Sequence, residues 1–119
     1  MIKGRSVTAS QKKFHNMLAE VVGCCACRKD GGFNDYVSIH HIDGRTKPNA
    51  HWLVLPLCAG HHQDMGDGLI PVHPYKARFE SKYGRQLDQL VECIELLIAG
   101  GFEVPTDALV AACMTAEAT

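Results

Sequence analysis

The chain has 119 residues, 46% hydrophobic and 21% charged, with a formal net charge of −1. That length fits one domain with a modest core, and the sequence holds no apolar run of the ~18 residues that a membrane span needs. Overall charge does not by itself argue for nucleic-acid binding, but it is lopsided: residues 1–50 carry eight Lys/Arg against four Asp/Glu, and residues 51–119 carry four against nine. A nucleic-acid surface is therefore expected on the N-terminal half.

The start, MIKGRSVTASQKKF, lacks an apolar signal-peptide core, so a cytoplasmic location is expected. There the six cysteines read as thiols or metal ligands, not disulfides. Residues 1–8 read as a flexible basic tail and 9–119 as a single domain. Thr8 and Gln11 fit a capping box. Phe14, Met17, Leu18, Val21 and Val22 follow helical spacing, predicting a helix over about 9–22. Gly23 ends it.

Cys24-x-x-Cys27 has zinc-knuckle spacing, in which two thiolates of one tight turn grip the same ion. A redox pair shares that spacing but is expected to open a helix in a βαβ unit; here the pair precedes a turn at Arg28–Gly32. Cys25 reads as a small buried side chain, and Cys25-x-Cys27 stays open as the ligand pair.

Val37–Ile39 alternates as a strand and leads into His40 and His41. Asp43-Gly44 marks a turn, and Arg45–Asn49 reads as an exposed basic loop. Trp52–Leu57 reads as a second strand, with Pro56 at an edge. Cys58–His62 opens a helix. The unit is strand, loop, strand, helix, over about 36–66. Cys58 and His61 share a helical face and supply the second ligand pair, so Cys24, Cys27, Cys58 and His61 form a closed structural Zn²⁺ site. His62 points about 100° around the helix from His61, toward the groove of His40 and His41. Those two alternate faces on a strand, which suits one ligand and one proton acceptor.

Beyond a flexible link at Asp64–Gly68, His73 precedes a helix opened by Pro74 and is a capping substitute or a further metal ligand. Tyr75, Phe79 and Tyr83 read as a core stripe. A helix at about 85–99 turns Leu87, Leu90, Val91, Ile94, Leu97 and Ile98 inward, with Cys93 at the core edge. Gly100-Gly101 stops it, and Thr106 caps a last short helix. The C-terminal helices, about 74–116, inform the fold and not the chemistry. Oligomeric state is not readable.

His40-His41-Ile42, the strand ending Leu57-Cys58, and His61-His62 resemble an HNH endonuclease of the ββα-metal class. CCACRKDG, SIHHIDGRTKP, LVLPLCAGHH and HPYKARFESKYG are similar, more closely, to the phage recombination-enhancement (Ref) nucleases, over roughly residues 20–85. The resemblance implies an α+β fold: a small ββα-metal (HNH) core with a structural zinc site, flanked by an N-terminal helix and C-terminal helices. It implies a metal-dependent DNA endonuclease acting where a RecA filament has bound DNA, in the host cytoplasm if phage-encoded. It assigns His40 and His62 to the catalytic metal and His41 to the general base. Arg45 and Lys47 are placed to position the DNA backbone. The working metal is expected to be Mg²⁺ or Mn²⁺, with Zn²⁺ as the alternative.

The chain departs from the HNH pattern twice. Leu53 stands where the asparagine that orients the base is usual, so His51, ahead of Asn49, is expected to take that role. Gly66 stands at the usual third-ligand position, so His73 is expected there, with Asp64 and Asp67 behind it. Larger Ref proteins carry a long basic N-terminal extension where this sequence shows a short tail, so its DNA and RecA affinity is expected to be weaker or differently organised. The alternative reading is a zinc-stapled DNA- or protein-binding module without catalysis.

Overall fold

A computed structural model describes residues 5–114. Helix α1, Ala9–Met17, starts as the capping box predicts. Thr8 Oγ1 accepts from the Gln11 amide at 3.1 Å, and Gln11 Oε1 accepts from the Thr8 amide at 2.8 Å. The predicted single helix changes pitch after Met17: Leu18–Val22 is a π-helical turn, closed by the Gly23 amide bonding Leu18 O five residues back. Phe14, Leu18 and Val22 bury fully or almost so. Gly23 takes φ +69°, and a Cβ there would come within 2.7 Å of Asn34 O, so both the turn and the close approach require glycine. The segment expected as a loose tail is anchored from Arg5 onward: its amide bonds Arg45 O and its Nε bonds Thr46 O, each at 2.8 Å.

Helix α2, Cys25–Lys29, follows at once with Cys24 as its N-cap. The CxxC pair therefore does open a helix, against the sequence reading, because the Cys24 sulfur caps the Cys27 amide at 3.4 Å.

Strand β1, Val37–His41, pairs antiparallel with β2, Val54–Cys58, with Val37 opposite Cys58 and His41 opposite Val54. All of β2 is buried, including Pro56 opposite Ile39. Trp52 lies in the turn before β2, its amide bonded to Asn49 O at 2.9 Å. Helix α3, Ala59–His62, is a single turn. Gly60 within it packs against the Asp67 carboxylate so closely that any Cβ would collide with it.

Helices α4 (Lys76–Tyr83), α5 (Gln86–Ala99) and α6 (Thr106–Ala111) complete the α+β arrangement. Phe79, Tyr83, Leu90, Ile94 and Leu97 join Phe14, Leu18, Val54, Leu55 and Leu57 in one core. Further sequence expectations need correction in this part of the chain. Pro74 precedes the N-cap, Tyr75, and does not open α4. Tyr75 is exposed, because the stripe begins only once the helix is under way. Cys93 lies in the core and Ile98 at the surface, because the inward face of α5 is rotated to include Gln86 and Gln89. Thr106 is the first helical residue after Pro105 and makes no capping bond. Residues 115–116 of the predicted C-terminal helices lie outside the described residues. Among the described residues no helix is long and apolar enough to cross a membrane.

Candidate functional site

The end of the π-helical turn, the start of α2, the end of β2 and α3 converge on four side chains. Cys24, Cys27, Cys58 and His61 bring one ligand atom each within 4.8 Å of all the others. Their spacing tests the fit to a metal. A tetrahedral zinc with ordinary Zn–S and Zn–N bonds sets S···S near about 3.8 Å and S···N near about 3.5 Å. Cys27 and Cys58 sulfurs lie 3.7 Å apart, and His61 Nδ1 lies 3.5, 3.5 and 3.3 Å from Cys24, Cys27 and Cys58. The set therefore fits a zinc-like ion. Burial pushes the Cys24 and Cys27 thiols above their usual range. A reactive redox pair has the opposite property, despite the helix N-terminus here. Cys25 is outside the group: it faces Gln89 at 3.4 Å, its thiol raised by its hydrogen bond with Cys93.

A second group is built from three histidines, His40, His62 and His73, whose ligand atoms lie within 4.8 Å of one another. β1 carries His40, α3 carries His62, and the segment after the Asp64–Gly68 link brings in His73. That segment runs parallel to the end of α3: the Val72 amide bonds His61 O at 2.8 Å and the His73 amide bonds His62 O at 3.2 Å. His40 is buried and its Nε2 lies 2.7 Å from Gln86 Oε1. Gln86 Nε2 donates to Glu80 Oε2 at 2.9 Å, which fixes the amide orientation. His40 must then donate from Nε2, leaving Nδ1 bare for a metal. The Ser38 hydroxyl donates to Leu57 O at 3.5 Å and accepts from His62 Nδ1 at 2.8 Å, so Nε2 of His62 is the bare nitrogen. Burial lowers the His40 pKa to about 4 and also lowers that of His62. Both are neutral at neutral pH, as metal ligands must be. Asp64 and Asp67 instead accept the Gly66 and Leu69 amides within their own turns.

His41 does not join this cluster, because adjacent strand residues point to opposite faces. Its Nε2 lies 3.0 Å from His51 Nδ1. Burial first, then Arg45, lowers its pKa to about 4. His51 is buried, while Asn49 is exposed in the loop. His40, His41, His62, His73 and Arg45 all line one open cleft of about 560 Å³. Lys47 is exposed on the same loop but does not line it.

Sequence reasoning passed over His15, Gln86, Tyr83 and Asp30 as site residues. His15 Nε2 lies 2.7 Å from His51 O. His61 Nε2 lies 3.0 Å from Tyr83 Oη, which donates to Asp30 Oδ2 at 2.7 Å. A signal existed for two of them: His15 follows Phe14 directly and Gln86 starts the α5 face, both polar residues at positions destined for burial.

These elements define a small α+β domain with two groups of side chains that could hold a metal ion. The particular family is shown by a match over residues 7–98 to the family model described as "Recombination enhancement, RecA-dependent nuclease". The chain belongs to that family, whose name implies nuclease activity.

Proposed function

We propose that this chain is an HNH-type, metal-dependent DNA endonuclease that acts on RecA-bound DNA in recombination, in the cytoplasm where such filaments form. One observation carries the reading: His41, bonded to His51 and held neutral, opens onto the same cleft as the His40–His62–His73 cluster. A divalent ion in that cluster, Mg²⁺, Mn²⁺ or Zn²⁺, would neutralise charge on the scissile phosphate and leaving oxygen. His41 takes one proton from a water, and the water oxygen forms a bond to phosphorus. The bond from phosphorus to a sugar oxygen breaks, and that oxygen takes a proton from solvent. His51 holds the His41 ring, and Arg45 at the cleft wall positions a phosphate. The Cys24–Cys27–Cys58–His61 group would hold a structural Zn²⁺ and so brace α3 and hence His62.

Plasmid and single-stranded DNA cleavage, with and without RecA filaments and with Mg²⁺ or Mn²⁺, tests the reading. Wild type should cut with metal and RecA, and His41→Ala should lose about 10²–10⁴-fold. If the two proteins bind DNA alike and neither cuts under any of these conditions, the chain is a zinc-stapled binding module and the nuclease reading fails.

A further inference from the structure

His51 is tied down by more than an orienting side chain needs, and its ties come from three separate segments. Its Nε2 lies 2.5 Å from the main-chain oxygen of Arg5, its Nδ1 lies 3.0 Å from His41 Nε2, and its own main-chain oxygen lies 2.7 Å from His15 Nε2. A carbonyl oxygen accepts and cannot donate, so the proton positions follow. His51 carries its proton on Nε2 and donates to Arg5. His15 carries its proton on Nε2 and donates to His51. With its ring proton committed to the Arg5 carbonyl, His51 offers Nδ1 as an acceptor, and His41 donates to it from Nε2. Among the described residues no hydrogen bond engages His41 Nδ1.

We infer that the Arg5 carbonyl and His15 form a tautomer lock: acting through His51, they keep the ring proton of His41 on Nε2 and leave Nδ1 as the atom that accepts a proton from water. The role of that nitrogen rests on the reading of His41 as general base. The lock itself rests on three hydrogen bonds and on the rigidity of their supports. Arg5 is fixed at its amide by Arg45 O and at its side chain by Thr46 O, each at 2.8 Å. His15 and His51 are both buried, the bond between them is buried, and the bonds of His51 to Arg5 and His41 are partly so. A histidine free to exchange tautomers presents the wrong nitrogen for part of its time, and a locked one does not. In the transfer a water O–H bond breaks and an Nδ1–H bond forms. The Nε2 proton stays shared with His51, which remains bonded to the Arg5 carbonyl. Arg5 and His15 are positioning groups, and the N-terminal segment becomes part of the site.

Long-range ¹H–¹⁵N correlation spectra of the imidazole rings, recorded on the zinc-loaded full chain, read which nitrogen of each histidine carries the proton. The expected result is Nε2 alone for His15, His41 and His51. In a chain lacking residues 1–6, His41 should become a mixture of tautomers while zinc content and the backbone amide spectrum report an intact fold. His15→Phe should lower kcat for DNA cleavage about tenfold with KM little changed, and His15→Gln, which keeps a donor, should recover most of the loss. A His41 protonated on Nδ1 in the full chain overturns the lock, whatever the truncated chain does. So does a folded truncated chain with an unaltered His41 spectrum. The expected spectra in a chain that cuts no DNA would uphold the lock and remove the nuclease reading.

Discussion

Tyr83 decides which nitrogen of His61 faces the three cysteines. The tyrosine hydroxyl gives its proton to Asp30 at 2.7 Å, so from His61, 3.0 Å away, it can only accept. His61 is thereby protonated on Nε2 and bare on Nδ1, the atom 3.3–3.5 Å from each of the three sulfurs. Tyr83→Phe keeps the ring in the core and removes this outer support. Zinc affinity, measured by chelator competition, should fall about 10–100-fold, with helix content unchanged. An unaltered affinity would mean that the thiols alone hold the His61 ring.

The two histidine roles in the cleft, ligand and proton acceptor, separate under metal rescue. His73 is exposed and is placed by one main-chain bond to His62 O, whereas His40 is buried and pinned by Gln86. His73→Ala should weaken binding of the second metal roughly tenfold or more while leaving the zinc at the cysteines, and raised Mn²⁺ should restore cleavage. His41→Ala should stay inactive at every metal concentration, because it removes a proton acceptor and not a ligand. Rescue of His41→Ala by metal would reverse the two assignments.

Spacing made the cysteine group readable. CxxC and CxxH each declare a local turn or helical face, and two such pairs in a small chain find each other. The capping box and the stripe of Phe14, Leu18 and Val22 were equally local. What sequence could not supply was rotation and long-range pairing. The apolar letters of α5 allow several faces, and only packing against β2 and the π-helical turn brings Gln86, Gln89 and Cys93 inward. Strand alternation at His40 and His41 was readable, and so was a partner for His41 at His51, 10 positions on. His15, 26 positions away in the chain, was not. The carbonyl of Arg5 has no sequence signature at all, since every residue has one.

Acid should destabilise the fold in a defined window. His40 and His41 are held to about 4, with burial the first cause in each, against about 6.5 when unfolded. Between those values the unfolded chain binds more protons than the folded one, so stability rises with pH there. The contribution is present above about pH 6.5 and is lost as pH falls through about 4. His15, His61 and His62 are lowered as well and act with the same sign. Urea midpoints measured from pH 7.5 to 4.5 should therefore decline on acidification, and His41→Gln should make the decline shallower. A midpoint independent of pH over that range contradicts the burial of these rings.

Arg45 and Lys47 sit on one exposed loop, yet only Arg45 lines the cleft, and its charge is the second cause, after burial, that keeps His41 deprotonated. Removing Lys47 should weaken DNA binding alone, lowering the slope of log affinity against log salt by about 1. Arg45→Ala should do that and more. With the neighbouring cation gone, protonated His41 becomes easier to form, and its pKa should move up from about 4 toward the unperturbed value. The pH at which cleavage falls off on the acid side should rise in Arg45→Ala and stay put in Lys47→Ala. Equal acid limbs in the two variants would show that the Arg45 charge is screened from His41 by solvent in the open cleft, and would reduce Arg45 to a phosphate contact.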